Sequence, residues 1–246
     1  MTEISVIMPL FNSEEHLAET LESYRTNAFP GVEIVVVDDG CTDGSIGILQ
    51  DRVPGCRLLH QKNGGPARAR NLALQHAAGT YIAFLDSDDL WPEGTLRRLH
   101  QAITSHDAHI AQGKVETFAT GEVAASIQHR MKPEPQYGLN LGAALWRRAD
   151  LDRMNGFDEA LRFGEDTDLW FRCWEEGLSK ALVPEVTLRY RLHQTNMTTE
   201  ARSDALDLLP ILKRHRDRMR GKPPQPSEGL AEYLGWVQPG GNPATS

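Results

Sequence analysis

The sequence predicts an α/β fold with a mostly parallel central sheet flanked by helices. Over about the first hundred residues, short runs rich in Val, Ile and Leu alternate with segments that carry apolar side chains at helical spacing. The run VEIVVV before Asp38 is apolar on both faces, which is typical of a parallel strand that helices cover on each side. The chain of 246 residues is long enough for such a sheet in one large domain.

The first part of the chain contains four strand–helix pairs. The predicted strands are ISVIMPL, VEIVVVD, CRLLHQ and YIAFLDSDD. The predicted helices follow within SEEHLAETLESYRT, TDGSIGILQDR, NGGPARARNLALQHAAG and PEGTLRRLHQAIT.

The pattern is looser in the second part of the chain. HIAQGKVETFA and EVAASIQHRM predict strands or a hairpin, NLGAALWRR a strand, and SKALVPEVTLRYRLH one or two strands. FGEDTDLWFRCWEEG has helical spacing, and SDALDLLPILKRHRDRMRGK predicts a helix that Pro210 kinks or restarts. The last residues are rich in Pro and Gly and predict a tail with little structure of its own.

Composition excludes several classes of protein. The net charge of −8 leaves no basic excess for a general nucleic-acid binder. No apolar run approaches the roughly 20 residues that span a bilayer, and the N-terminus lacks the basic region of a signal peptide. The three cysteines show no CxxC spacing. We therefore expect neither a zinc site nor a disulfide framework, and a cytoplasmic location.

Polar residues follow three of the predicted strands. Pro9 to Asn12 follow the first, Asp38 and Asp39 end the second, and DSDD at residues 86–89 ends the fourth. In open α/β sheets, ligands bind beyond the carboxyl ends of the strands. If these strands are parallel, the three groups lie at one edge and form one site.

The DSDD segment suggests a metal site. Mg²⁺ and Mn²⁺ prefer oxygen ligands, and Mg²⁺ is commonly bound through one or two carboxylates together with substrate phosphates. The alternative is a solvated turn in which Asp88 or Asp89 caps the helix that begins near Pro92. The motif alone leaves both interpretations open for Asp88, and we assign Asp89 to the cap.

Two further motifs suit a nucleotide. A carboxylate of VVVDDG can accept hydrogen bonds from a nucleobase or a ribose, or it can form an Asx-turn before the next helix. NGGPARARN places Arg68 and Arg70 at a helix start, which suits phosphate, although the spacing is neither G-x-G-x-x-G nor that of Walker A. The alternative for this segment is a solvated arginine face.

Acids and a histidine later in the chain suggest catalysis. Glu165, Asp166 and Asp168 lie at a predicted helix start, where the dipole alone stabilises them. A carboxylate held in a cleft there can also act as a general base. His193, in YRLHQTN, is either a ligand contact or a structural histidine.

Taken together, these segments resemble the family 2 glycosyltransferases, which have the GT-A fold. Six segments occur in the family's order: SVIMPLFN, VVVDDGCTDGS, NGGPARARN, YIAFLDSDDLW, GFDEALRFGEDTDLWFR and YRLHQTNMT. The resemblance implies a GT-A domain over residues 1–200. A C-terminal helical extension over residues 201–222 and a Pro/Gly-rich tail over residues 223–246 would follow it.

The resemblance also implies a reaction. An inverting transferase of this kind moves a sugar from a nucleotide-diphospho-sugar, with a UDP-sugar favoured here, to an acceptor nucleophile, with Mg²⁺ or Mn²⁺. The acceptor, whether a glycan, a lipid, a peptide or a small molecule, stays open. The alternatives are a nucleotidyltransferase and a sugar-nucleotide-binding protein without catalysis.

The resemblance also implies a role for individual residues, each at a position that matches the family's motifs. Asp166 matches the general base and Glu165 its neighbour in the catalytic pair, whereas Asp88 and His193 match metal or diphosphate contacts. Asp38 would face the base and Asp86 the ribose. The resemblance implies a donor pocket formed by Pro9, Phe11, Asn12, Asp38, Asp39, Gly65, Arg70, Asp86 and Ser87.

The basic segment at residues 213–222 allows two interpretations. It can form an amphipathic helix on an anionic membrane, which would make the protein peripheral at the inner face of the membrane. It can also belong to a helix that packs on the domain with a solvated basic face, and this is the interpretation that we favour.

Overall fold

The computed structural model describes residues 2–120, 131–161, 163–193, 204–221 and 229–235. They form one seven-stranded sheet in the order β3-β2-β1-β4-β6-β5-β7, flanked by helices. The strands are β1 (Ile4–Leu10), β2 (Val32–Asp38), β3 (Arg57–His60), β4 (Tyr81–Phe84), β5 (Ile110–Ala119), β6 (Ala144–Arg147) and β7 (Lys180–Leu192). The helices are α1 (Leu17–Asn27), α2 (Ser45–Arg52), α3 (Pro66–His76), α4 (Thr95–Ser105), α5 (Arg148–Arg153), α6 (Glu165–Glu175), α7 (Asp204–Met219) and α8 (Leu230–Tyr233).

The four N-terminal strands are parallel, as the alternation predicts. β1 lies between β2 and β4, with Ile4 opposite Val32 on one side and Tyr81 on the other. Alternate side chains of these strands enter two buried apolar clusters, one on each face of the sheet, with Ile7 in one and Val6 in the other. The parallel register places the carboxyl ends of β1, β2 and β4 at one edge.

The second half of the sheet is mixed. β6 runs antiparallel to both β4 and β5, whereas β5 and β7 are parallel. SKALVPEVTLRYRLH forms the single long strand β7, and NLGAALWRR is divided among a 3₁₀ turn at Leu141–Ala143, β6 and the start of α5. EVAASIQHRM lies outside the described residues except for its last residue.

Helix α7 packs on the domain. The helix continues through Pro210, so it does not restart there. Ile211 is buried against the core. Three basic side chains of α7 pair with acids of the domain: Arg214 with Asp158, His215 with Glu175, and Arg218 with Asp168 and Glu175. These ion pairs support the packed interpretation of the basic segment.

Part of the predicted tail is ordered on the core. Tyr233 and Leu234, at the end of α8, are buried, and the Tyr233 ring lies 6.5 Å from the Trp170 ring, centroid to centroid. This short segment contradicts the expectation of little structure for residues 229–235. The division of the chain into three regions remains a prediction.

Among the helices described, none has the length and hydropathy needed to cross a bilayer. The cytoplasmic location and the membrane contact remain predictions.

Two glycines provide a matched test of the packing. A Cβ on Gly79 would lie 2.5 Å from the backbone nitrogen of Ser5, whereas a Cβ on Gly47, in α2, meets no atom within 4 Å. We expect Gly79→Ala to lower the free energy of unfolding by about 2 kcal/mol or more, because β1 would have to move. Gly47→Ala should raise it by up to about 1 kcal/mol. Urea unfolding measures both, and equal effects would contradict the described contact.

Candidate active site

A cavity of about 1180 Å³ opens at the sheet edge where β1, β2 and β4 end. Its wall combines polar residues from all three strand ends with residues from α3, α6 and the end of β7. The predicted site residues that line it are Pro9, Phe11, Asn12, Asp39, Gly65, Arg70, Asp86, Ser87, Asp88, Glu165, Asp166 and His193. Segments that are distant in sequence therefore meet at one site.

The two acids that end β2 point in different directions. Asp38 accepts hydrogen bonds from the backbone nitrogens of Gly40 and Cys41, at 3.0 and 2.7 Å, and contacts His60 Nδ1 at 3.0 Å. Burial opposes ionisation of Asp38, but these contacts outweigh it and lower the pKa of Asp38. Asp39, by contrast, lines the cavity.

Asp39 anchors the glycine-rich loop before α3. Its Oδ1 accepts from Gln61 Nε2 and from the Gly64 nitrogen, both at 2.7 Å, and its Oδ2 accepts from the Gly65 nitrogen at 2.9 Å. Gly65 has φ +84°, a conformation that favours glycine, and precedes Pro66 at the start of α3. This loop thereby forms part of the cavity wall.

Short polar side chains join the loops after β1, β2 and β4. Asn12, at φ +45°, accepts from the Thr42 nitrogen through Oδ1 at 2.8 Å. The Ser13 and Ser87 hydroxyls are 2.6 Å apart, and the Ser13 nitrogen donates to Ser45 Oγ at 2.9 Å. These contacts fix the three strand ends relative to one another.

Arg70 connects the β4 edge to α6. Its Nη2 donates to Asp86 Oδ1 and its Nη1 to Glu165 Oε1, both at 2.7 Å. The guanidinium is buried and lies 5.6 Å from the centre of the Phe157 ring. Burial alone would lower the pKa of Arg70, but the charges of Asp86 and Glu165 raise it, so Arg70 stays charged.

The acids of DSDD have separate roles. Asp88 Oδ2 lies 3.0 Å from His193 Nε2, so two predicted metal contacts meet. Asp89 is buried, and its Oδ1 accepts from the Arg191 nitrogen at 2.9 Å. The predicted helix cap by Asp89 is wrong, because α4 begins only at Thr95 and its N-cap residue makes no side-chain cap bond. Asp89 instead attaches the loop to β7.

The donor set suits a divalent cation that arrives with phosphate. Within the described ranges, no three His, Cys, Asp or Glu side chains converge as a metal cage. Asp88 and His193 nevertheless supply a carboxylate and an imidazole at the cavity wall. One or two protein ligands completed by phosphate oxygens and water is the common arrangement for Mg²⁺.

Asp166 is suited to accept a proton. It lies in the first turn of α6, and its Oδ1 accepts from the Thr167 nitrogen at 2.6 Å. Burial and the neighbouring charge of Glu165 raise the pKa of Asp166 to about 6, although Arg70 acts in the opposite direction. A carboxylate with a pKa near the operating pH is an effective general base.

Arg191, which was not among the predicted site residues, holds the DSDD loop in place. Its Nε donates to the Asp88 carbonyl at 2.7 Å and its Nη2 to Glu19 Oε2 at 2.6 Å. Arg191 is buried near the end of β7. An arginine between apolar residues of a predicted strand, as in YRLH, is the signal that would have indicated a buried ion pair.

The comparison with protein families agrees with the site. Residues 5–168, more than half of the chain, match the model of glycosyl transferase family 2. The chain belongs to this family. The match covers the strand ends, the DSDD loop and the start of α6 that carries Asp166.

Curated relatives are longer than this chain. The uncharacterized glycosyltransferase EpsJ of Bacillus subtilis (strain 168) is 28% identical over 83% of this chain and 65% of EpsJ. The uncharacterized glycosyltransferase YibD of Escherichia coli (strain K12) is 40% identical over 51% of this chain and 38% of YibD. The chain thus spans less than two thirds of either relative.

Solved structures show the GT-A fold. The S. aureus TarS 1-349 structure in complex with UDP-GlcNAc matches with a TM-score of 0.72 at 24% identity, over 94% of this chain and 69% of that one. The mannosyltransferase PcManGT from Pyrobaculum calidifontis, in complex with GDP-Man and Mn2+, gives 0.64 at 19% identity, over 91% and 66%. The predicted fold class is confirmed.

The bridge formed by Arg70 provides a test of the site's assembly. Arg70→Met should lower the free energy of unfolding by about 3 kcal/mol, because Glu165 would remain buried without its cation. Arg25→Met, which removes an exposed pair with Glu22, should change it by less than about 1 kcal/mol. Urea unfolding at neutral pH compares the two, and a loss below 1 kcal/mol for Arg70→Met would contradict the bridge.

Proposed function

We propose that this protein is a glycosyltransferase that moves a sugar from a nucleotide-diphospho-sugar to an acceptor nucleophile with inversion, in a single displacement. The observation that carries the proposal is the shared cavity. It joins a polar edge suited to a nucleotide, the Asp88–His193 pair, and the Asp166 carboxyl with its raised pKa.

The donor would lie along the strand ends. Asp39, on the cavity wall, is the better candidate for contact with the nucleobase, since the Asp38 carboxylate is bound to its own loop and to His60. The Asp39 carboxylate accepts three hydrogen bonds and has a lone pair left for an imide N–H. Asp86, fixed by Arg70, would face the ribose.

Asp88 and His193 would hold the divalent cation. A bound Mg²⁺ or Mn²⁺ would neutralise charge on the departing diphosphate. TarS and PcManGT, whose structures were described with UDP-GlcNAc and with GDP-Man and Mn2+, have the same fold and support a nucleotide-sugar donor. A UDP-sugar is our favoured donor.

Asp166 would act as the general base. The acceptor oxygen forms a bond to the anomeric carbon while its proton passes to Asp166. The bond from that carbon to the diphosphate oxygen breaks, and its electron pair leaves with the nucleoside diphosphate. A single displacement of this kind inverts the anomeric configuration, through an oxocarbenium-like transition state.

The two rival functions have less support. A nucleotidyltransferase is expected to carry a glycine-rich, basic segment after its first strand, whereas PLFNSEE stands there. A binding protein without catalysis would not need a carboxyl of raised pKa in the same cavity as the Asp88–His193 pair. Hydrolysis of a nucleotide-sugar to the free sugar and the nucleoside diphosphate in the presence of Mn²⁺ distinguishes the transferase from both rivals, since neither of them breaks that bond.

A thermal-shift screen of nucleotide-sugars with Mn²⁺ identifies the donor, because a ligand that binds the folded state raises the Tm. We expect Asp88→Asn to lose the Mn²⁺-dependent part of this shift, whereas Asp166→Asn keeps it. The two substitutions are matched, since each replaces a carboxylate with an amide of the same shape. A full shift in Asp88→Asn would refute the metal assignment.

Asp166→Asn should slow sugar transfer and, above pH 6, stabilise the fold. We expect a loss of sugar transfer of about 100-fold or more, because the amide cannot accept the proton. Above pH 6 the ionised Asp166 destabilises the fold by up to about 3 kcal/mol, so the variant should have the higher Tm there. Below pH 4 the difference should vanish. Turnover near the wild-type level would disprove the base assignment.

The Asp166 carboxyl should also set the pH dependence of wild-type turnover. The raised pKa of Asp166, about 6, means that the base is protonated and inactive below that pH. We expect kcat/KM to rise about tenfold per pH unit below pH 6 and to level off above it. A profile that stays flat from pH 5 to pH 8 would exclude Asp166 as the base.

A further inference from the structure

His16 is a second histidine at the metal-ligand pair. It is the residue before α1, it lines the cavity, and its ring centre lies 4.7 Å from the ring centre of His193 at an interplanar angle of 53°. Only 9% of His16 is exposed. His16 was not among the residues that the sequence motifs indicated.

The backbone groups of His16 form hydrogen bonds, whereas its side-chain Nε2 atom forms none with the residues that the structure describes. The His16 nitrogen donates to the Ser13 carbonyl at 3.0 Å, and the His16 carbonyl accepts from the Thr20 nitrogen at 3.2 Å. In the part of the chain that the structure describes, the buried Nε2 atom of His16 has no hydrogen-bond partner. The Glu15 carboxylate is 4.0 Å away, beyond hydrogen-bond distance.

Buried polar atoms are nearly always hydrogen-bonded, so an unpartnered one at a cavity wall indicates a ligand. Burial and the charges of Arg191 and His193 lower the pKa of His16, whereas Asp88 and the largely exposed Glu15 act in the opposite direction. Arg191, on β7, is the strongest of these four charges, so the surroundings favour an anion. Either ring nitrogen of a histidine can carry the hydrogen, and an N–H donates well to a phosphate oxygen. A metal is the weaker candidate, since no three ligating side chains converge among the described residues.

We propose that His16 donates a hydrogen bond from Nε2 to the diphosphate of the nucleotide-sugar. This inference rests on the proposed function, because it places a nucleoside diphosphate in the cavity. His16 would hold the leaving group beside Asp88 and His193 through a contact that needs no metal. It is a binding residue for the phosphates and not for the base.

The test is calorimetry without metal. UDP, GDP, dTDP, CDP and ADP and the matching nucleosides are titrated in EDTA into the wild type, His16→Phe and His16→Gln. Phe keeps an aromatic ring against His193 but cannot donate, whereas Gln can. We expect His16→Phe to weaken diphosphate binding about tenfold or more, to leave nucleoside binding unchanged, and His16→Gln to recover part of the loss.

Three outcomes would overturn the inference. Equal losses for nucleoside and diphosphate would make His16 structural, and an unchanged diphosphate affinity in His16→Phe would remove the contact. A loss of binding of Mn²⁺ alone in His16→Phe, measured by electron paramagnetic resonance, would make His16 a metal ligand. If His16→Phe does not fold, His16→Leu takes its place in the same comparison. A wild type that binds the diphosphates with Mn²⁺ but not in EDTA is a fourth outcome against the inference, because the contact would then depend on the metal. A wild type that binds none of them under either condition would instead refute the proposed function itself.

Discussion

The ion bridge from Asp86 through Arg70 to Glu165 is the interaction on which the site depends. It joins the loop after β4 to the first turn of α6, and its two acids, Asp86 and Glu165, lie 79 residues apart in the chain. Both acids would otherwise repel each other beside Asp88 and Asp166. A single buried cation therefore allows Asp86 and Glu165 to lie in the same cavity as Asp88 and Asp166. It also fixes the side that would bind the donor relative to the side that would carry the general base.

The bridge also explains why Glu165 and Asp166, which are neighbours in α6, lie in different electrostatic surroundings. Glu165 forms an ion pair with Arg70, whereas burial and the charge of Glu165 act on Asp166, one residue further along α6, more strongly than the charge of Arg70 does. The raised pKa of Asp166 follows from this difference. Helix α7 closes the same region, since Ile211 packs where a side chain on Gly164 would clash, and its ion pairs to Asp158 and Glu175 hold it there.

The parallel sheet and the convergence of its strand ends could be predicted from the alternation of VEIVVV-like runs with helical segments, because burial on both faces leaves a clear pattern. The directions of the side chains at those strand ends could not be predicted from the sequence. Which of Asp38 and Asp39 lines the cavity depends on the turn at Gly40, and the contact of Asp89 with Arg191 joins residues 102 positions apart. Tyr233 is buried near Trp170, and its hydroxyl donates to the Leu178 carbonyl at 3.0 Å. A Pro- and Gly-rich composition does not indicate these contacts.

The most direct test of the proposed single displacement is the configuration of the sugar that the protein releases from the donor. Proton NMR recorded during hydrolysis of the donor, before the anomers equilibrate, shows which anomer forms first. Single displacement with Asp166 as the base predicts the anomer inverted relative to the donor, from the wild type and not from Asp166→Asn. Release of the retained anomer would contradict the account, because it requires a covalent or front-face mechanism that assigns Asp166 another role.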